Sequence, residues 1–310
     1  MELKHVSVLY EETLELLNLR KGGTYVDGTM GGAGHSLGIC EAIGKEGTFI
    51  GIDRDDFVFD RAEKRLENTE CKKIFVKDNF HNIKNILTEN EIDGIDGMLL
   101  DLGVSSFQID DANRGFSFRN DAALDMRMDK SSPLDAKTVV NTYSREELRD
   151  IIRKFGEEKF AANIAKHIVA EREKKEIETT SELVSIIKQA IPKKFHQGKH
   201  PAKKTFQAIR IEVNDEIDSL ERALEDIIDC LNPGGRLAVI TFHSLEDRIT
   251  KNVFKESAKG CTCPKEFPVC VCGNVPKVKQ VTRKPVLPTE EEIEANPRSR
   301  SAKLRVIEKI

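Results

Sequence analysis

An α/β fold, a doubly wound parallel sheet interrupted by an all-helical insert, is predicted by three features of this 310-residue sequence. Strand-like and helix-like patterns alternate through the first third of the chain. A glycine-rich turn follows the first strand. The strand pattern then stops after residue 103 and returns at residue 235. Alternation of this kind gives parallel strands with helices packed on both faces.

Short β-rich runs lie at YVDG (25–28), TFIGID (48–53), KIFVKD (73–78) and DGMLLDLG (96–103). Helix-period segments at 35–44, 55–67 and 82–90 separate them. Upstream, MELKHVSVLYEETLELL carries acids inside its apolar pattern and reads as an amphipathic helix, not a secretory signal. Residues 105–130 are polar and without period; a stretch of that length points to function or disorder. From about 133 to 201 the pattern is helical throughout: SREELRDIIRKFG, EKFAANIAKHIVAEREKK, and TSELVSIIKQAI before Pro192. One long helical run at 203–231 is expected to end in NPGG (232–235). GRLAVITFHS (235–244) then reads as a buried strand, with a helix from Leu245. QVTRKPVLP (280–288) and AKLRVIEKI (302–310) are expected to pair at the sheet edge. The expected organisation is a sheet domain in two parts, 1–108 and 206–310, around a helical insert at 109–205.

A charged share of 33% beside an apolar share of 39% fits a hydrated globular protein. No run approaches the roughly 18 apolar residues of a membrane span, so a cytoplasmic location without a membrane partner is expected. The seven cysteines are an odd number, with Cys40, Cys71 and Cys230 scattered, which suits a reducing compartment. The chain is −4 overall, yet residues 188–210 hold Lys188, Lys193, Lys194, Lys199, Lys203, Lys204 and Arg210 with no acid among them. Such a stripe is either a solvated face or the footprint of a bound phosphate backbone.

The turn YVDGTMGGAGHS (25–36) lacks a Gly-Lys-Ser/Thr ending, which argues against a nucleotide triphosphate. Its glycines let a ligand approach the backbone. Asp53 ends the second strand, where a carboxylate can accept hydrogen bonds from ribose hydroxyls. Asp78-Asn79-Phe80 ends the third and offers polar groups beside an aromatic face for adenine. Asp101 ends the fourth and can meet an ammonium or sulfonium. A single aspartate is commonly a turn or helix cap. Four of them (Asp27, Asp53, Asp78 and Asp101) at carboxyl ends of strands line the crevice where open α/β sheets bind ligands. They suit a molecule with ribose, adenine and a cationic tail, as in S-adenosylmethionine. A nicotinamide cofactor is the alternative, with its pyrophosphate on the helix N-terminus.

Seven stretches carry a closer resemblance: DGTMGGAGHS (27–36), GIDRD (51–55), DGMLLDLGVSSFQIDDANRGFSFR (96–119), LDMRMD (124–129), HPAKKTFQAIRIEVNDE (200–216), PGGRLAVITFHSLEDR (233–248) and NPRSRSAKLRV (296–306). In these the sequence resembles the bacterial ribosomal RNA small subunit methyltransferase H family, the cytosine-N4 enzymes also called MraW. The resemblance implies a Rossmann-like S-adenosylmethionine-dependent methyltransferase sheet with an inserted all-helical domain. It implies methyl transfer to the N4 amine of a cytidine in the decoding region of 16S ribosomal RNA, with that RNA or the assembled small subunit as partner. It further implies donor contacts from Ala33, Gly34, His35, Asp53, Phe80, Asp101 and Gln108.

Methyl transfer is an in-line displacement, so positioning the amine behind the methyl group supplies most of the catalysis. Positive charge grows on the attacking nitrogen, which acceptors stabilise. Many amine methyltransferases carry an acidic or Asn residue followed by Pro-Pro and an aromatic; here DLGVSS (101–106) stands in that place. Asp101 and His243 are the candidate catalytic residues. His243, in TFHSLEDR, either faces the crevice to bind cytosine or take its proton, or caps the helix that follows. Phe116 and Phe118, interleaved with Arg114 and Arg119, either stack on bases or pin the long loop to the core. Five aspartates in that loop (110, 111, 121, 125 and 129) are expected to pair with its arginines. The chemistry requires no metal. CTCPKEFPVCVCG places Cys261, Cys263, Cys270 and Cys272 together, as a thiolate zinc site or as thiols on a loop. Alternatives to methyl transfer onto RNA are a non-catalytic RNA-binding or ribosome-assembly protein, a nicotinamide-dependent oxidoreductase, and a DNA amine methyltransferase, the last disfavoured by the missing Pro-Pro-aromatic element.

Overall fold

A computed structural model describes residues 7–196, 200–264, 269 and 271–310. The chain runs α1 (Tyr10–Leu17), β1 (Thr24–Asp27), α2 (Gly34–Ile43), β2 (Thr48–Asp53), α3 (Phe59–Leu66), β3 (Lys72–Lys77), α4 (Ile83–Glu89) and β4 (Ile95–Asp101). Six helices follow: α5 (Ser106–Asp110), α6 (Ala136–Thr142), α7 (Arg145–Gly156), α8 (Ala161–Arg172), α9 (Thr180–Ala190) and α10 (Lys203–Asn214). The chain closes with α11 (Glu216–Cys230), β5 (Leu231–Thr241), α12 (Ser244–Ser257), β6 (Val278–Gln280), α13 (Glu290–Ala295) and β7 (Lys303–Lys309).

The strands form one sheet in the order β3-β2-β1-β4-β5-β7-β6. The first five are mutually parallel, whereas β7 runs antiparallel to both β5 and β6. Successive strand side chains enter opposite cores. Val26, Ile50, Ile52, Met98, Leu100 and Val239 pack with Ile83, Ile86, Leu220, Leu224 and Ile227 of α4 and α11. Tyr25, Phe49, Leu99, Ala238 and Ile240 pack with Leu17, Ile39, Ile43, Ala62 and Leu66 of α1, α2 and α3. Both sheet faces are therefore covered, which is why these strands are apolar throughout. The strand order reverses between β1 and β4, and a crevice at their carboxyl ends follows from that topology.

The chain divides into two compact units, Met1–Gly103 with Ile217–Ile310 and, between them, Val104–Glu216. The sequence-based boundaries were 108/109 and 205/206. The later end of the helical unit reflects α10, whose Gln207 amide donates to the Phe155 carbonyl of α7 at 3.0 Å. Within this unit α7 and α9 begin with reciprocal capping boxes, Ser144 with Glu147 and Thr179 with Glu182. Leu148, Ile152, Ile164, Ile168, Leu183, Ile187 and Ile209 form its buried interior.

Three expectations change in detail. The helical run at 203–231 is two helices, broken at Asp215, which adopts a left-handed conformation (φ 49°) that aspartate tolerates. NPGG is not a stop before the strand: β5 begins at Leu231, paired with Ile95, and the register shifts before Gly97 meets Arg236. Of 280–288, only Gln280 belongs to a strand; Val286 makes a single bridge to Leu304. The expected amphipathic helix at the start is α1, and residues 1–6 of that expectation lie outside the described residues. Among the described residues no helix is long and apolar enough to cross a membrane.

Gly156 ends α7 where α10 passes closest. A Cβ there would lie 2.7 Å from the Lys204 carbonyl oxygen, a backbone atom that cannot swing aside. Gly156→Ala is expected to destabilise the helical unit by about 1–3 kcal/mol, read as a lower urea midpoint.

Candidate active site

The first-strand turn is built by backbone anchoring. Gly28 N–H donates to Leu99 of β4 and Met30 N–H to Ile52 of β2, so the turn is pinned to both neighbouring strands. A Cβ on Gly28 would fall 2.6 Å from Leu100 Cδ2 and Met98 Cε, and one on Gly34 would strike Ser7 Oγ. Gly31 and Ala33 both have positive φ (48° and 53°), and Ala33 is the N-cap residue of α2. The glycines thus bring backbone close to side chains on either side of the turn.

Carboxylates gather around this turn. Asp27 is buried, accepting hydrogen bonds from Ser36 Oγ (2.7 Å) and Thr29 N–H (3.1 Å). Asp53 ties the end of β2 to the turn, accepting from Gly31 N–H at 2.8 Å and from Asp55 N–H at 2.9 Å. Thr29 Oγ1 accepts the Asp101 N–H at 2.6 Å. His35 is buried and stacks on Tyr10, with 5.8 Å between ring centroids. Its Nε2 lies 3.0 Å from the Val8 carbonyl, an acceptor only, so Nε2 carries a hydrogen. Its Nδ1 faces Asp101 Oδ2 at 3.7 Å, within ion-pair reach but beyond hydrogen-bond length. The other oxygen, Asp101 Oδ1, is buried without a hydrogen-bond partner.

Burial, then repulsion from Asp27 and from Glu246, pushes the Asp101 carboxyl up to about 8. Burial raises Asp27 to about 6 against its hydrogen bonds. Burial raises Asp53 as well. These carboxyls are costly to ionise where they stand, and a cation bound beside them would relieve that cost.

Not every expected residue joins this group. Asp78 turns into its own loop, accepting from Asn82 Nδ2 at 2.7 Å. Asn79 caps the short turn at Phe80–Asn82, whereas Phe80 does reach the turn, its Cβ 3.1 Å from where a Cβ on Gly28 would lie. Gln108 belongs to the helical unit, where its amide closes a capping box with Ser105 (3.0 and 3.2 Å). His243 is the N-cap residue of α12. Its Nδ1 accepts the Glu246 N–H at 3.4 Å and its Nε2 lies 3.1 Å from Glu246 Oε1, so both ring nitrogens face one residue. That is the capping alternative. Glu246, Thr29 and Ser36 were not singled out from sequence, although Glu246 stands three residues after His243, the capping-box spacing.

In the helical unit Phe118 stacks on His200 (4.6 Å) and meets Phe206 edge-on (5.9 Å), pinning the long loop. Arg114 is buried and donates to the carbonyls of Arg127 and Met128. Asp125 and Arg127 form a two-pronged ion pair at 2.9 and 2.8 Å. The basic segment places Phe195, 41% exposed, beneath Lys159 Nζ at 3.9 Å from the ring centroid and beside Lys194 Nζ at 5.2 Å. Lys199 lies outside the described residues.

The MraW methylase family model matches residues 2–310. The chain belongs to the MraW methylase family. It is 56% identical to ribosomal RNA small subunit methyltransferase H 2 of Agathobacter rectalis, over 100% of this chain and 99% of that one. It is 55% identical to ribosomal RNA small subunit methyltransferase H of Clostridium botulinum, and 56% identical to that of Finegoldia magna, over the whole of both chains in each case. Membership in a methylase family removes the oxidoreductase alternative.

The raised carboxyls carry a stability cost with a definite sign. In the unfolded chain they ionise near 3.8, but in the folded protein Asp27 ionises near 6 and Asp101 near 8. Between those values the folded state holds protons that the unfolded state has lost, so stability falls as pH rises through the window. Asp101→Asn is therefore expected to raise the melting temperature by several degrees at about pH 8.5 and to change it little at about pH 4. Equal effects at both pH values in a thermal melt would contradict this.

Proposed function

We infer that this chain transfers a methyl group from S-adenosylmethionine to the N4 amine of a cytidine in 16S ribosomal RNA. The observation that carries the reading is the buried, partnerless Oδ1 of Asp101 beside the glycine turn, in a chain of the methylase family. A carboxylate left without a donor calls for a cationic ligand. S-adenosylmethionine, when bound, supplies an electrophilic methyl carbon on a sulfonium that leaves as a neutral thioether.

In this reading Asp53 accepts hydrogen bonds from the donor's ribose hydroxyls and Phe80 offers its ring to the adenine. Gly34 and Ala33 let backbone approach the donor, with His35 holding the turn through Val8. Asp101 faces the cationic end. Asp101 would offer one fixed carboxylate to that positive charge as it moves to the attacking nitrogen, whose surplus proton would leave to solvent. His243 acts as a positioning residue: it fixes Glu246, whose charge helps keep Asp101 basic. The partner is small-subunit RNA, free or assembled, and the place of action is the cytoplasm where that RNA is made. Phe195, exposed between two lysine ammonium groups, suits base stacking combined with phosphate neutralisation.

Labelled methyl transfer onto small subunits lacking the modification, with mapping of the product nucleotide, tests the assignment. Label confined to one cytidine N4 is expected, whereas label only on DNA or only on protein would refute it. Asp101→Asn is expected to lower kcat/KM by about a hundredfold or more. Removing Phe195 or Lys159 should weaken RNA binding with donor affinity unchanged, and Lys159→Ala should reduce the magnitude of the log–log salt slope by about one.

A further inference from the structure

The loop joining α12 to β6 gathers sulfur where no core explains it. Cys261 and Cys272 are exposed, and so are Val271 and Val275 (each 73%), so apolar burial does not draw these side chains together. Yet the Sγ atoms of Cys261, Cys263 and Cys272 all lie within 4.8 Å of one another. Cys261 and Cys272 stand 3.8 Å apart, and no disulfide joins any of the three. With zinc–sulfur bonds of about 2.3 Å, two corners of a tetrahedral thiolate site are about 3.8 Å apart.

The backbone is arranged around the sulfurs as well. Thr262, the middle residue of the first C-x-C pair, donates its N–H to Cys272 Sγ at 3.3 Å. Val271, the middle residue of the second pair, donates its N–H to Cys263 Sγ at 3.3 Å. Each half of the loop thus hydrogen-bonds a sulfur of the other, and an amide N–H directed at sulfur favours the thiolate that a metal needs. The loop is also closed at its base. Asn274 Nδ2 donates to the carbonyls of Lys259 and Gly260 (3.2 and 2.8 Å), and Lys277 N–H to that of Ser257 (2.9 Å). Cys270 lies outside the described residues.

We propose that Cys261, Cys263 and Cys272 bind a zinc ion that staples the α12–β6 loop. Each thiol gives up its proton to solvent on binding, and the metal takes the place of the missing hydrophobic core. The site is separate from the methyl-transfer reading and does not depend on it.

The full chain, purified under reducing conditions and dialysed against dilute zinc, is expected to retain about one zinc per chain by elemental analysis. Cobalt(II) in place of zinc should give the thiolate charge-transfer and tetrahedral d–d bands. A triple variant, Cys261→Ser, Cys263→Ser and Cys272→Ser, should lose at least tenfold in zinc content and both sets of bands, with donor binding unchanged as proof of folding. In the metal-bound protein, limited proteolysis between 258 and 277 should accelerate on adding a chelator. Reduced full chain that holds no zinc, zinc retained by the triple variant, or a Cys261–Cys272 disulfide in place of metal would each overturn the proposal.

Discussion

Three carboxyls at the carboxyl ends of β1, β2 and β4, each costly to ionise where it stands, are the constraint around which the sheet unit is organised. Burial raises the proton affinity of Asp27, Asp53 and Asp101, with repulsion from Asp53 adding to it at Asp27 and repulsion from Asp27 adding to it at Asp101. Folding alone would not favour such a cluster, because each carboxylate loses hydration as it is buried. The unit tolerates it through backbone geometry: Gly31 N–H on Asp53, Thr29 and Ser36 on Asp27, and a turn pinned to two strands. The stability forgone is the counterpart of affinity for a cationic ligand, as in other sites that keep a perturbed carboxyl.

The two units divide the work by chemistry. The sheet unit carries acid and glycine, suited to a small cationic nucleoside. The helical unit carries the basic segment and an exposed ring flanked by ammonium groups. A net charge of −4 for the whole chain conceals this separation. Phe118 and Arg114, which look equally suited to RNA in sequence, are instead spent on fixing the long loop from inside.

Much of this was legible in the sequence, for identifiable reasons. TFIGID is β2 residue for residue, and the other three early strands fall within a residue or two, because buried parallel strands are unbroken apolar runs between turn residues. The strand-end aspartates could be found because topology fixes where ligands sit. The break at Asp215 could not, since helical periodicity continues through it and a single left-handed residue leaves no pattern. Nor could NPGG opening a strand, where pairing with Ile95 overrides turn propensity. Asp78 has the same strand-end signature as Asp53, yet Asn82 draws it away. His243 accepts a hydrogen bond from the N–H of Glu246, a capping contact that the sequence could not choose over a crevice-facing ring.

The neighbours β4 and β5 are separated along the chain by the whole of Val104–Glu216 and by α11. On the ribosome, therefore, the edge of β4 emerges long before the strand that will cover it. A chain truncated before Leu231 leaves the strand that bears Asp101 as an open edge, prone to self-association.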